Sequence, residues 1–203
     1  MSQTGSPDSP GATHGAWRAT ITGYPPDDWR LLVRLPGRVI VAASSARPDN
    51  PVRTVTEGLA GLDGIAAGRS FDSELVRAVV AAIYAESDDG RSGPVRAGTA
   101  DGGLAGGGHE AGTHPAGTHP DGGREDGLAE LLRSCRAAVE TLARHADPAD
   151  SAAYRQWVQS VAARVCRAAG SDGRPRPFGD PVDPEQRRVL DQLGEALGLR
   201  PAG

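Results

Sequence analysis

Lysine is absent from this 203-residue chain. All 22 of its basic side chains are arginine, set against 26 acidic ones for a formal net charge of −4 at pH 7. A nucleic-acid binder normally carries a basic face or a high pI, so this balance argues against that class. A phosphate-binding loop ending in Gly-Lys-Ser/Thr is excluded outright. With 28 Gly and 16 Pro, the arginine-only set reads as compositional drift, as in a GC-rich genome, rather than design for phosphate recognition. Aromatic residues are scarce too: three Trp, three Tyr and two Phe. The core must therefore be built mostly from Leu, Val and Ala. Each of these buries little area, and area sets stabilisation at roughly 25 cal/mol per Å². Two cysteines, Cys135 and Cys166, are too few for a disulfide framework. No run approaches the roughly 20 apolar residues of a membrane span. The best stretch, 31–43, is interrupted by Arg34, Pro36 and Arg38. Residues 1–15 lack the charged and apolar parts of a secretory leader. These absences point to a soluble protein of a reducing cytoplasm.

What is present is punctuation and helical periodicity. Residues 1–16 are rich in Ser, Pro, Gly and Thr and read as a disordered tail. Residues 88–125 form a low-complexity linker with Gly102-Gly103, Gly106-Gly107-Gly108 and a tandem Ala-Gly-Thr-His-Pro repeat that starts at Ala111 and again at Ala116. With almost no large apolar residue, this linker cannot offset its ordering entropy. It separates an N-terminal helical half, 17–87, from a C-terminal half, 126–199. Such thin cores favour packing of the two halves as one domain, because a unit of about 60 residues with few aromatics is marginal.

In the first half, residues 17–24 alternate and read as a short extended arm. Asp27 and Asp28 cap a helix through Trp29, Leu32 and Val33, which Pro36-Gly37 should stop or kink before 39–46. Asn50-Pro51 is an N-cap with proline at the first helical position. Val52, Val55, Leu59, Leu62 and Ala66 then mark the apolar stripe of a helix ending at Gly68. Ser70 or Asp72 opens the next helix, with Leu75, Val76, Val79, Val80 and Ile83 on one face. In the second half, Leu128, Leu131, Leu132, Cys135, Val139 and Leu142 share a face. After Asp147-Pro148, Tyr154, Trp157, Val158, Val161 and Val165 share another, with Trp157 expected at the centre of the core. The last helix carries Asp183 as N-cap, Pro184 at the first position, and Gln186 in a capping-box-like place. Its stripe is Val189, Leu190, Leu193 and Leu197, and Gly198 stands at the C′ position. With no paired strands in view, the fold class is all-α: a bundle of about six helices whose amphipathic faces must pack together.

Residues 152–165, Ala-Ala-Tyr-Arg-Gln-Trp-Val-Gln-Ser-Val-Ala-Ala-Arg-Val, followed by Phe178-Gly179, Val182, Glu185 and the closing helix, resemble the C-terminal half of a group of small all-helical bacterial proteins. These pair a Tyr/Phe-x-x-Trp helix with a Gly-rich turn and an Ala/Leu-rich last helix, and are loosely similar to the tellurite-resistance TerB-like fold. The segment from Trp29, with its mid-helix Pro36, resembles the start of that group. The resemblance covers about half the chain and implies fold and a stress-related or envelope-associated setting. The turn beginning Gly170-Ser-Asp-Gly-Arg-Pro and the long middle linker depart from it. The acidic metal-binding positions of TerB-like proteins do not map onto these residues.

The candidates for chemistry are few. His109, His114 and His119 recur every five residues in the linker and could form a loose site for Zn²⁺, Ni²⁺ or Cu²⁺. Repeat slippage explains them more simply. Cys135 and Cys166 lie on or beside apolar stripes, where cysteine packs as a small hydrophobe rather than as a nucleophile. His145, near a helix C-terminus, suits an end-cap charge. Gly58, Gly61 and Gly64, three apart on one helix, point to close helix approach. Asp27-Asp28 and Asp88-Asp89 are too isolated for a calcium loop. No catalytic, cofactor-binding or metal residue is assigned, no cofactor is expected, and the partner is an unidentified protein. The leading expectation is a non-enzymatic helical scaffold or interaction module. The alternative is a metal-responsive or metal-buffering protein using the histidine linker.

Overall fold

The computed structural model describes residues 23–45, 51–92, 120–169 and 184–199. Among these residues all regular structure is helical. The helices are α1 (Pro26–Ser45), α2 (Pro51–Ala67), α3 (Glu74–Ser92), α4 (Pro120–His145), α5 (Pro148–Ala169) and α6 (Pro184–Ala196), with a 3₁₀ turn, Gly68–Ser70, after α2. The all-α bundle of six helices is thus as the periodicity predicts. The halves reach further into the 88–125 segment than composition suggests: α3 continues to Ser92 and α4 begins at Pro120. The linker histidines His109 and His114 and His119 lie outside the described residues, as do the 1–16 tail and Asp183.

Several helix ends follow their local chemistry. Pro148 takes the first position of α5, and the Ala149 N–H donates to Asp147 Oδ1 at 2.8 Å, an acidic N-cap. α3 is capped by Ser73 rather than by Ser70 or Asp72, with the Val76 N–H donating to Ser73 Oγ at 3.2 Å. α6 closes in a Schellman motif. The Leu199 N–H bonds the Gly194 carbonyl at 2.8 Å and the Gly198 N–H bonds that of Glu195 at 2.9 Å, while Gly198 holds φ +65°, which glycine adopts without a Cβ clash. Gln186 is buried, and its side-chain amide bonds to no described residue.

The largest departure within a helix is at Pro36, where α1 runs on without interruption from Pro26 to Ser45. Proline removes the N–H that would have met the Leu32 carbonyl. That carbonyl instead accepts the hydroxyl of Tyr154, from α5, at 2.7 Å. The buried face of α1, Trp29, Leu32, Val33, Leu35, Pro36, Val39 and Ala43, passes straight through the proline, so packing holds the helix together where local propensity would divide it.

α5 is the central element. Its buried face is Tyr154, Trp157, Val158, Val161, Ala162, Val165 and Cys166, and it packs against each of the other five helices. Trp157 is fully buried, as its place on the stripe predicts. Tyr154 and Trp157 meet edge-on at 5.8 Å between ring centroids, a favoured aromatic geometry. One apolar cluster joins α1 and α3 of the first half to α4, α5 and α6 of the second.

Candidate functional site

α2 lies against α5 in the opposite rotation from the one its apolar stripe predicts. Val52, Val55, Leu59 and Leu62, expected in the core, are 78%, 63%, 59% and 55% exposed. The face turned inward carries Glu57, Gly61, Gly64, Ile65 and, just beyond the helix, Gly68. The glycines explain the choice. A Cβ on Gly61 would stand 2.6 Å from the Ile40 side chain, one on Gly64 3.1 Å from the Val161 Cα, and one on Gly68 2.7 Å from Trp157 Nε1. Only positions without a Cβ at these three points of contact let the α2 backbone come this close. In that position the indole N–H of Trp157 donates to the Gly64 carbonyl at 3.1 Å. Gly64 is in the last turn of α2, and a carbonyl oxygen has a second lone pair with which to accept a donor from outside the helix. Burial of the large Trp157 ring and satisfaction of its N–H therefore outweigh burial of four aliphatic side chains.

The inner face also buries a charge. Glu57 is 1% exposed and pairs with Arg53 one turn earlier at 3.3 Å. The same end of the bundle holds a small second apolar cluster of Ala43, Val165 and Cys166.

Gly58 differs from its neighbours: nothing lies within 4 Å of where its Cβ would be. Close helix approach within this chain thus accounts for Gly61 and Gly64 but not for Gly58. Gly58 lies beside the exposed stripe, and no contact made by the described residues requires it.

The other sequence candidates take structural places. Cys135 is fully buried on α4, and burial pushes its thiol up to about 12. Cys166 is buried on α5, and burial followed by the nearby Glu57 carboxylate pushes its thiol up to about 11. A nucleophilic cysteine needs the reverse, an exposed and electropositive setting. His145 ends α4 with its Nε2 3.4 Å from Asp28 Oδ2, which Arg144 also approaches at 3.3 Å. The Arg144 contact sets a positive side chain at the C-terminus of α4 against the acidic first turn of α1, favourable to both helix dipoles. Tyr24, read as the end of an extended arm, packs against Trp29 and His145 at 5.8 and 5.5 Å between ring centroids. Its hydroxyl is pushed up by burial and by the charge of Asp150.

A broad groove of about 1770 Å³ runs between α1, α4 and α6, past Arg34, Arg38, Val41, Leu128 and Arg188. Ligand pockets measure about 300–1,000 Å³ and bring polar groups to a focus. Here Arg38 is tied to Ser134 Oγ at 2.6 Å and to Glu130 at 3.2 Å. Among the described residues no group of three or more His, Cys, Asp or Glu could hold a metal ion, and no helix is long and apolar enough to cross a membrane. Among the described residues the exposed large aliphatic side chains other than Val41 gather in one row, on the outer face of α2. Comparison of the chain with protein-family models, curated proteins and solved structures finds no match.

Proposed function

We propose that this protein is a non-enzymatic helical interaction module whose docking element is α2. The observation that carries this reading is the outward apolar stripe Val52, Val55, Leu59 and Leu62. Exposed apolar residues scattered singly are ordinary, whereas a contiguous row of them marks an interaction surface. Burying one such side chain is worth about 1.5–3 kcal/mol. The glycine face keeps α2 from spending that energy inside the bundle and leaves it for a partner.

An amphipathic partner helix fits the 3-4-3 spacing, which matches a coiled-coil seam. Burial of both thiols supports a module without nucleophilic chemistry. A stress-related setting rests on the TerB-like resemblance alone, and a cytoplasmic one on the low cysteine content.

The test is a photo-crosslinking amino acid placed at Leu59 in cells that make the protein, with the same probe at exposed Arg136 of α4 as control. A discrete protein adduct from position 59, absent at 136, supports the reading. If position 59 gives no protein adduct, α2 is not a docking element.

A further inference from the structure

Building on that reading, we infer that the occupant of the α2 stripe is a second copy of this chain, paired α2 to α2 in antiparallel orientation about a two-fold axis beside residue 57. The intervals between Val52, Val55, Leu59 and Leu62 are three, four and three. For these four exposed large side chains the series reads the same in both directions, so each meets another of the row when one copy is reversed. That is the i-to-j and j-to-i pairing of a two-fold contact. Ala66, the small last residue of the stripe, lies beyond the paired row. Reversal sets Val52 opposite the other copy's Leu62 and Val55 opposite its Leu59. Every layer then joins a smaller β-branched side chain to a larger one, the alternation that interdigitates well.

Two further observations favour a like partner. Gly58 falls one residue from the axis, so both copies present a glycine to the same flank at the crossing. At a rise of about 1.5 Å per residue the two glycines stand about 3 Å apart along the helices. The open space around Gly58 is what a second backbone would fill, and a residue that weakens an isolated helix then has a purpose.

Charge agrees as well. Asp63, exposed beyond Leu62, lies level with Pro51 of the reversed copy, the first residue of its α2. A carboxylate at a helix N-terminus is stabilising. The only other charges on residues 52–62 are Arg53, turned toward Glu57, and Glu57 itself, which is buried. No like charges therefore oppose one another along the seam.

The contact is small. One helix of this length against another falls at the low end of specific interfaces, below about 1,200 Å² in total. The dimer is accordingly a dissociating one, with Kd between about 1 μM and 1 mM.

Sedimentation of the full chain from about 1 μM to about 1 mM should show the weight-average mass rising from monomer toward dimer. Leu59→Arg should hold it at the monomer mass with unchanged helical circular dichroism, since the side chain is exposed and the fold does not need it. Orientation is read by disulfide trapping. Val52→Cys and Leu62→Cys chains, mixed in equal amounts under mild oxidation, should give the mixed 52–62 disulfide well beyond the two-to-one excess over either self-linked species that random pairing gives. A monomer at every concentration overturns the inference, as does a dimer that Leu59→Arg leaves intact, or one trapped mainly as 62–62. If the purified chain stays monomeric while position 59 crosslinks to a different protein in cells, the self-pairing falls and the interaction module stands.

Discussion

The hydroxyl of Tyr154 donates to the carbonyl of Leu32 at 2.7 Å, the carbonyl that Pro36 leaves without its helical donor. A residue on α5 thereby completes the backbone ladder of α1 across a separation of 122 positions. The proline, which by itself would divide α1, becomes a socket that fixes α5 at one register.

That relationship is open to a double-mutant test. Tyr154→Phe leaves a buried carbonyl unpaired and should cost about 1–3 kcal/mol, read as a lower urea midpoint. Pro36→Ala restores an N–H one turn from Leu32. In the Pro36→Ala background the cost of Tyr154→Phe should fall to less than half. Equal costs in both backgrounds would show that the hydroxyl does not stand in for the missing donor.

Gly58 of α2 and Gly68 in the turn after it should respond in opposite directions. Gly58→Ala meets nothing within 4 Å and should stabilise the dilute monomer by about 0.5–1 kcal/mol through helix propensity. Gly68→Ala drives a Cβ to 2.7 Å from both Trp157 Nε1 and Val80 Cγ2 and should destabilise by about 1–3 kcal/mol. Chemical denaturation of the two variants at one low protein concentration decides the sign.

Trp157 is the largest fully buried side chain among the described residues, so Trp157→Ala should cost about 3–5 kcal/mol, a large share of the stability of a domain this size. With Trp17 and Trp29 changed to Phe, the remaining emission should be blue-shifted and resist acrylamide. Red, quenchable emission would contradict burial of the ring.

The two thiols link stability to alkaline pH. Unfolded cysteine ionises near its ordinary value of 9.0, whereas folding raises Cys135 to about 12 and Cys166 to about 11. The folded state therefore retains protons that the unfolded state loses. The stabilisation they give is complete below about pH 9 and declines as pH rises through 9 toward 11–12. Replacing both with Ala should flatten that decline in the thermal midpoint between pH 8.5 and 10.5. At pH 8 neither thiol of the folded chain should react with a water-soluble disulfide reagent faster than the chain opens.

Local sequence determined the helices and much of their packing direction. The Leu75/Val76/Val79/Val80 face of α3, the Tyr154/Trp157/Val161 face of α5 and the Val189/Leu193/Leu197 face of α6 all point inward as their spacing says. The Asp147-Pro148 start and the Gly198 stop lie where capping chemistry puts them. Buried Cys135 was legible too, because its neighbours on the stripe leave it no other surroundings.

Two decisions came only with tertiary structure, and the candidate site depends on the second. Pro36 signals a break that Tyr154 cancels from 122 positions away, and no window along α1 contains that donor. The α2 stripe has ideal spacing for a core face, but periodicity says only which residues share a face. Which face turns inward depends on what the facing helix needs. Trp157, 93 positions from Gly64, needs a backbone close enough to cover its ring and accept its N–H. Gly61, Gly64 and Gly68 give it that backbone, and so the aliphatic row of α2 was left facing out.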